Sequence, residues 1–112
     1  MRYAVPVSDG RLASHFGHCQ EFAFIDVDMA TKAVVRKEFV PSPGHEPGLL
    51  PTWLAEEGVA AVIAGGMGSR AQALFRENRI EVVVGALRDD PEQMVLNHLQ
   101  GILESGDNFC DH

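Results

Sequence analysis

A segment rich in proline and glycine divides the 112-residue chain into two parts with different hydrophobic patterns. Residues 41–48 contain three prolines and two glycines, which remove backbone donors and fix or free φ, so no regular element can run through them. Before this segment, runs of β-branched and aromatic residues predict strands over residues 2–8, 21–28 and 33–40. The first part of the chain therefore predicts a three-stranded meander.

Helical segments alternate with apolar runs after the proline-rich segment. A short helix over residues 50–57 is predicted to stop at Gly58, and Ser69 is a suitable N-cap for a second helix ending near Asn78. Pro91 suits the first position of a last helix. We expect that helix to end at Gly106.

The apolar runs over residues 59–64 and 80–84 are typical of strands covered on both faces. The element order is then βββαβαβα. Because crossover connections are right-handed, the last two strands should run parallel to the first. We predict an α/β fold in which a mixed five-stranded sheet carries helices on its faces.

Length and composition favour one globular domain over residues 1–106, followed by a flexible tail over residues 107–112. No apolar run approaches the roughly 20 residues of a membrane span, and no signal peptide is visible, so we expect a cytoplasmic protein. A formal charge of −7 provides no basic footprint for nucleic acid. The two cysteines, Cys19 and Cys110, are expected to be reduced thiols.

The predicted topology gathers the chemically unusual loops at one edge of the sheet. If the last two strands are parallel to the first, residues 9–20, 41–48, 65–69 and 85–90 all lie at the carboxyl ends of the parallel strands. Ligands of open α/β sheets bind at that edge. The sequence therefore predicts one cleft that collects histidine, cysteine and glycine residues from distant segments.

Imidazole and thiol groups are concentrated in the first of these loops, at His15, His18 and Cys19. Such groups suit zinc, copper and iron–sulfur species, and Gly17 permits the loop to curl around one centre. The alternative is a pair of surface histidines beside a buried cysteine that acts as a small apolar residue. His45 is a candidate ligand only because it lies in the same predicted cleft.

A glycine loop precedes the second predicted helix and comprises Gly65, Gly66, Met67 and Gly68, with Arg70 in the helix. Backbone N–H groups and the helix dipole at such a loop attract anions. The segment also fits the dinucleotide pattern G-x-G-x-x-A, but the next strand lacks the acidic residue that the pattern requires. The alternative is a tight turn whose glycines permit close packing.

The remaining polar groups give weaker hypotheses. Cys110 and His112 start from the far end of the last helix, so they are candidate ligands only if the tail returns to the cleft. Neighbouring pairs of acidic residues do not converge on a helix, and no nucleophile has a fixed partner. We therefore expect a binding protein and not an enzyme.

Three stretches resemble the dinitrogenase iron–molybdenum cofactor biosynthesis family: HFGHCQEF at residues 15–22, GHEPGLLPTWL at 44–54 and VIAGGMGSRAQALF at 62–75. The family includes nitrogenase-cofactor carriers and the orange protein, which holds a molybdenum–copper sulfide cluster. The resemblance implies a ribonuclease-H-like fold with strand order 3-2-1-4-5. Cys19 and the Cys110/His112 tail resemble the small stand-alone members.

The resemblance also implies that the chain carries a preformed metal–sulfur cluster of the iron–sulfur, iron–molybdenum or molybdenum–copper type. His15 would be the leading ligand, supported by His18 and Cys19, while His45 and the glycine loop would line the pocket. Backbone N–H groups of the glycine loop, with Arg70 and Arg11, would compensate the charge of the cluster. The implied partners are an acceptor or assembly protein, and the chain is expected to be a monomer or a weak dimer.

Two other functions are compatible with the residues alone. One is a simple zinc- or copper-binding module. The other is a regulatory domain that binds a nucleotide or phosphate at the loop of residues 65–68.

Overall fold

One mixed sheet organises the chain, and the computed structural model describes residues 1–8, 11–12, 19–44, 48–84 and 90–99. The strands in these residues are β1 (Arg2–Ser8), β2 (Arg11–Leu12), β3 (Glu21–Asp28), β4 (Ala33–Pro41), β5 (Ala61–Ile63) and β6 (Glu81–Val83). The helices are α1 (Leu49–Glu56), α2 (Ser69–Glu77) and α3 (Pro91–Leu99). The proposed ends of the last helix and of the domain, and the tail, lie outside the described residues.

The strands follow the order β4-β3-β1-β5-β6. β3 is antiparallel to β1 and β4, whereas β5 is parallel to β1 and β6 is parallel to β5. The predicted mixed α/β sheet and its order 3-2-1-4-5 are therefore confirmed. A short antiparallel pairing of β2 with β1 is an addition that the sequence does not predict, because two residues are too few to show alternation.

Both faces of the sheet are buried because apolar side chains alternate along its central strands. Tyr3, Val5 and Val7 of β1 pack with Met94 and Val95 of α3 on what we call the α3 face. Ala4, between them in sequence, lies on the opposite face, which α1 and α2 cover. β5 also contributes apolar side chains to both faces, as its continuous apolar run predicts.

The last helix is also tied to the first strand by a polar contact. The Tyr3 hydroxyl and Nδ1 of His98 are joined by a hydrogen bond of 2.8 Å, and the two rings meet edge to face at 5.6 Å. Burial raises the pKa of Tyr3 above its ordinary value. None of the helices in the described part of the chain is long and apolar enough to cross a membrane.

Arg2 connects three elements at the edge where the parallel strands begin. Its Nε and Nη2 donate to the two carboxylate oxygens of Asp26 in β3, at 2.8 and 3.3 Å. Its Nη1 donates to the carbonyl oxygen of Glu57, just after α1, at 2.6 Å. The guanidinium also lies over the ring of Phe24, 5.6 Å from its centroid. The hydrogen bond from Arg2 is the main cause that lowers the pKa of Asp26.

Replacement of Asp26 by asparagine should make the fold less stable in a pH-dependent way. The stability that the Asp26 carboxylate adds is present above the ordinary aspartate pKa of about 3.9 and is lost as pH falls through the lower folded-state pKa. We expect Asp26→Asn to reduce the free energy of unfolding by about 1 kcal/mol at neutral pH, with a smaller difference in acid.

Denaturant titrations at several pH values, followed by fluorescence of the single tryptophan, Trp53, measure this difference. Glu56→Gln is the matched control, because Glu56 is exposed on α1. A pH-independent loss of stability in Asp26→Asn would contradict the assigned role of the ion pair.

Candidate functional site

The carboxyl ends of the parallel strands meet at one edge of the sheet, which we call the carboxyl edge. β1, β5 and β6 end there, and β3 begins there beside the end of β4, because Glu21 pairs with both Val7 and Pro41. The described segments that follow or precede these ends are residues 19–20, 42–44 and 64–68. This edge is where open α/β sheets bind ligands.

Backbone hydrogen bonds hold these segments against the sheet. Gln20 N donates to Val7 O at 3.1 Å, and Gln20 O accepts from Ser42 N at 3.1 Å. Ala64 N donates to Val83 O at 2.8 Å. The segments are therefore continuations of the strand pairing, and their positions are fixed by the register of the sheet.

Cys19 lies at this edge and is buried, with 4% of its surface exposed. It belongs to the apolar cluster on the α1/α2 face, together with Ala64 and Met67. Burial raises the pKa of the Cys19 thiol to about 11, although a hydrogen bond with the Ser42 side chain acts in the opposite direction. The thiol is consequently neutral at physiological pH.

The glycine loop follows β5 at the same edge of the sheet, and its Met67 belongs to the same apolar core as Cys19. Gly65, Gly66 and Met67 are buried and Gly68 is half-buried. Met67 has 1% of its surface exposed and contributes its side chain to the cluster that contains Cys19. Gln72 of α2 donates from Nε2 to the carbonyl oxygen of Met67 at 2.9 Å. Cys19 and Met67 thus both belong to the apolar core of the α1/α2 face, at the carboxyl ends of its strands.

The start of α2 differs from the sequence-based prediction. Gly68 is the N-cap residue, with an extended backbone at φ −65° and ψ 154°, and Ser69 is already helical. The prediction of Ser69 as N-cap is therefore wrong by one residue, because Gly68 already has the extended backbone that an N-cap residue adopts. The predicted end is confirmed, since Asn78 is the C-cap.

The three helices have their N-terminal ends toward the carboxyl edge. Each helix follows a strand that ends at this edge, and α1 and α2 lead back to the starts of β5 and β6 at the opposite edge. Gly48 and Gly68 cap α1 and α2, so neither cap has a side chain, and no acidic residue lies in either first turn. In α3, by contrast, Asp90 Oδ2 accepts from Gln93 N at 3.2 Å and Glu92 lies in the first turn. The positive ends of α1 and α2 thus lack the acidic groups that compensate α3.

Several predicted site residues cannot be placed. His15, His18, His45, Cys110 and His112 lie outside the described residues, and their roles stay predictions. Arg70 is exposed in the first turn of α2, next to the glycine loop. Within the described ranges, no group of three His, Cys, Asp or Glu side chains is arranged to hold a metal ion.

Two residues of this edge are not predicted from the sequence as members of the site. Ser42 reaches Cys19 because the hairpin of β3 and β4 places it beside Gln20, and Gln72 reaches Met67 by folding its side chain back along α2. The strand register could have indicated Ser42. No local pattern marks Gln72. Its backbone N–H makes an ordinary helical hydrogen bond with Gly68 O, so only the conformation of its side chain brings it to Met67.

The Cys19 thiol should react slowly while the protein is folded. A pKa of about 11 leaves about one thiol in a thousand ionised near pH 8, against about one in four for an unperturbed cysteine. We expect a disulfide reagent to modify folded Cys19 about a hundredfold more slowly than the unfolded chain.

The measurement uses a Cys110→Ser background, so that Cys19 alone reports, and the same variant in denaturant supplies the reference rate. If the folded and unfolded rates agreed within about twofold, the burial of the thiol would be contradicted.

Comparison with known proteins supplies the context for this geometry. The family model for the dinitrogenase iron–molybdenum cofactor matches residues 1–101. An uncharacterized protein of Methanocaldococcus jannaschii is 29% identical over 87 residues, which cover 73% of this chain and 72% of that protein.

Solved structures agree with the fold. The crystal structure of PH0822 superposes with a TM-score of 0.85 at 30% identity, covering 94% of each chain. The apo form of the orange protein from Desulfovibrio gigas superposes with a TM-score of 0.63 at 26% identity, covering 96% of this chain and 93% of that one. The similarity extends over nearly the whole chain.

Proposed function

Since the chain belongs to the dinitrogenase iron–molybdenum cofactor family, we propose that it binds an anionic metal–sulfur cluster at the carboxyl edge and carries it to an acceptor protein. The cluster is cargo, so the protein performs no turnover. Family membership supports the link to metallocofactors, and the orange protein is a similar structure. The type of cluster, whether iron–sulfur, iron–molybdenum or molybdenum–copper, is part of the proposal.

The observation that carries the proposal is that the N-terminal ends of α1 and α2, which have no acidic residue in their first turns, lie at the same edge of the sheet as buried Cys19 and Met67. Metal–sulfide clusters are anionic, and backbone N–H groups at helix N-termini stabilise anions. Arg70 adds a cation beside the start of α2. This local arrangement supports binding of an anion by a chain whose formal charge is −7.

The predicted ligands have different roles in the proposal. His15 is the leading ligand, with His18 and His45 beside it, because neutral imidazole binds soft and borderline metals without loss of a proton near neutral pH. Cys19 must lose its proton before it can bind a metal, and burial opposes that loss. Ligation by Cys19 would therefore release a proton and become more favourable as pH rises.

A zinc or copper module and a nucleotide-binding domain are the competing functions. Soft copper(I) would also suit a thiol and a thioether, but the positive helix ends at this edge favour an anion over a zinc or copper cation. The match of G-x-G-x-x-A to the glycine loop is the feature that favours a nucleotide. The spectrum of the loaded protein separates the three functions, because a sulfide cluster absorbs visible light, zinc does not, and a nucleotide absorbs near 260 nm.

Reconstitution tests the role of His15. Apoprotein is incubated with tetrathiomolybdate and copper(I), and a separate sample with iron and sulfide, and visible absorbance of the desalted protein is measured. We expect wild type to retain a coloured cluster in one of these samples and His15→Ala to retain at least about tenfold less at equal concentration.

His98→Ala is the matched histidine control, because His98 contacts Tyr3 on the α3 face and not the carboxyl edge. Circular dichroism verifies that each variant is folded. A wild-type protein that stays colourless and binds zinc or a nucleotide instead would overturn the proposal.

Charge reversal at the start of α2 should separate folding from binding. An acidic residue in a first helical turn stabilises the helix by about 0.3–1 kcal/mol, whereas it repels an anionic cluster. Arg70→Glu is therefore expected to unfold at an equal or higher temperature than wild type and to bind the cluster several-fold more weakly.

Arg76→Glu provides the control, since it makes the same charge change in the last turn of the same helix. Thermal unfolding and the absorbance titration together give the result. Equal cluster binding by Arg70→Glu and wild type would contradict the assigned anion site.

A further inference from the structure

β4 is the outer strand of the sheet and exposes apolar side chains. β4 has nine residues, and in it Val35 has 66% of its surface exposed and Phe39 has 44%. An outer strand presents unpaired N–H and C=O groups, which can pair with another strand. In the described part of the chain, no strand lies beyond β4.

The strand register shows which peptide groups of β4 point outward. Val27 N donates to Met1 O at 2.9 Å, so the odd-numbered residues of β3 direct their peptide groups toward β1 and the even-numbered ones toward β4. Phe24 and Asp26 of β3 lie opposite Glu38 and Arg36 of β4. The N–H and C=O groups of Glu38 and Arg36 therefore point toward β3.

Lys37 and Phe39, which alternate with these inward residues, direct their N–H and C=O groups away from the sheet. Two copies of β4 could form ladder hydrogen bonds through these groups. An antiparallel contact of this kind needs a twofold axis normal to the sheet, which keeps the two faces of each copy aligned.

We propose that β4 pairs antiparallel with β4 of a second copy of this chain, with the twofold axis at Lys37. In this register Arg36 lies opposite Glu38 of the second copy, and Glu38 lies opposite Arg36. Val35 lies opposite Phe39 in the same way, so Arg36, Glu38 and the two apolar residues meet complementary partners, whereas Lys37 lies opposite Lys37 of the second copy.

The charge pattern selects this register over its neighbours. A shift by two residues, the smallest that keeps the faces aligned, places Glu38 opposite Glu38 or Arg36 opposite Arg36. In the single chain, Arg36 Nη2 lies 3.4 Å from Glu38 Oε2, and both side chains are at least half exposed. Such a surface pair adds little stability, so its exchange for pairs between copies costs little.

Features of β4 limit the strength and extent of the contact. The two Lys37 ammonium groups approach the axis, although each lies 5.9 Å from the ring centroid of its own Phe39. A bulge between the Asp26/Arg36 and Val27/Val34 pairs leaves Val35 as an extra residue and shortens the regular ladder. We therefore expect a small, weak interface with a Kd between about 1 μM and 1 mM.

The contact is closed, because the twofold axis uses β4 of both copies and the opposite outer strand, β6, has only three residues. The expected species is a dimer and not a fibre.

Sedimentation velocity of the full-length apoprotein over a range of concentrations tests the proposal independently of any cluster. Wild type is expected to show a monomer–dimer equilibrium that added salt weakens. Arg36→Glu and Glu38→Arg, each alone, place like charges opposite each other twice and should raise the Kd at least about tenfold.

An equimolar mixture of the two variants supplies the decisive measurement. Arg36→Glu in one chain and Glu38→Arg in the other restore both opposite-charge pairs, so the mixture should dimerise with nearly the wild-type Kd. The double variant, which exchanges both charges in one chain, should also dimerise.

Arg76→Glu and Glu77→Arg, both exposed on α2, are the matched controls and should dimerise like wild type, alone and mixed. Trp53 fluorescence verifies that every variant is folded. Wild type that stays monomeric at about 1 mM would overturn the proposal. So would a dimer that single reversals leave unchanged, or a mixture that stays monomeric.

Discussion

Parallel pairing of β5 with β1, and of β6 with β5, is the constraint on which the rest of the structure depends. It requires crossover helices, which cover the sheet, and it brings the ends of separate strands to one edge. The central strand must then be apolar on both faces, as Tyr3 and Ala4 illustrate on opposite sides. Segments far apart in sequence, such as residues 19–20 and 64–68, come to lie at the same edge of the sheet as a result.

The order of the elements could be predicted from the sequence because it depends on long-range patterns, whereas the strand order was predicted from the family resemblance. The proline-rich segment separates the meander from the helical part, and the apolar run of residues 59–64 has no polar side to expose. Boundaries were less predictable. The N-cap of α2 shifted from Ser69 to Gly68, because the backbone conformation of a glycine loop depends on the sheet that it leaves and not on local preference.

The common edge of Cys19 and the glycine loop could be predicted because it follows from the topology. Strand direction places Cys19 and the glycine loop at one edge, and the strand register determines which residues lie beside Cys19. The contact of Ser42 with Cys19 depends on the pairing of two strands, and that of Gln72 with Met67 depends on one side-chain conformation, so neither leaves a local signal. The histidines that complete the hypothesis lie outside the described residues.

The α3 face has a consequence for folding during synthesis. Tyr3 and Val5, near the first residue of the chain, are covered by Met94 and Val95 and joined to His98, near the last described one. While a ribosome still holds α3 in its exit tunnel, the emerged central strand must expose one apolar face. This layer can therefore close only after α3 has left the tunnel, which makes the nascent chain a candidate for transient protection by chaperones.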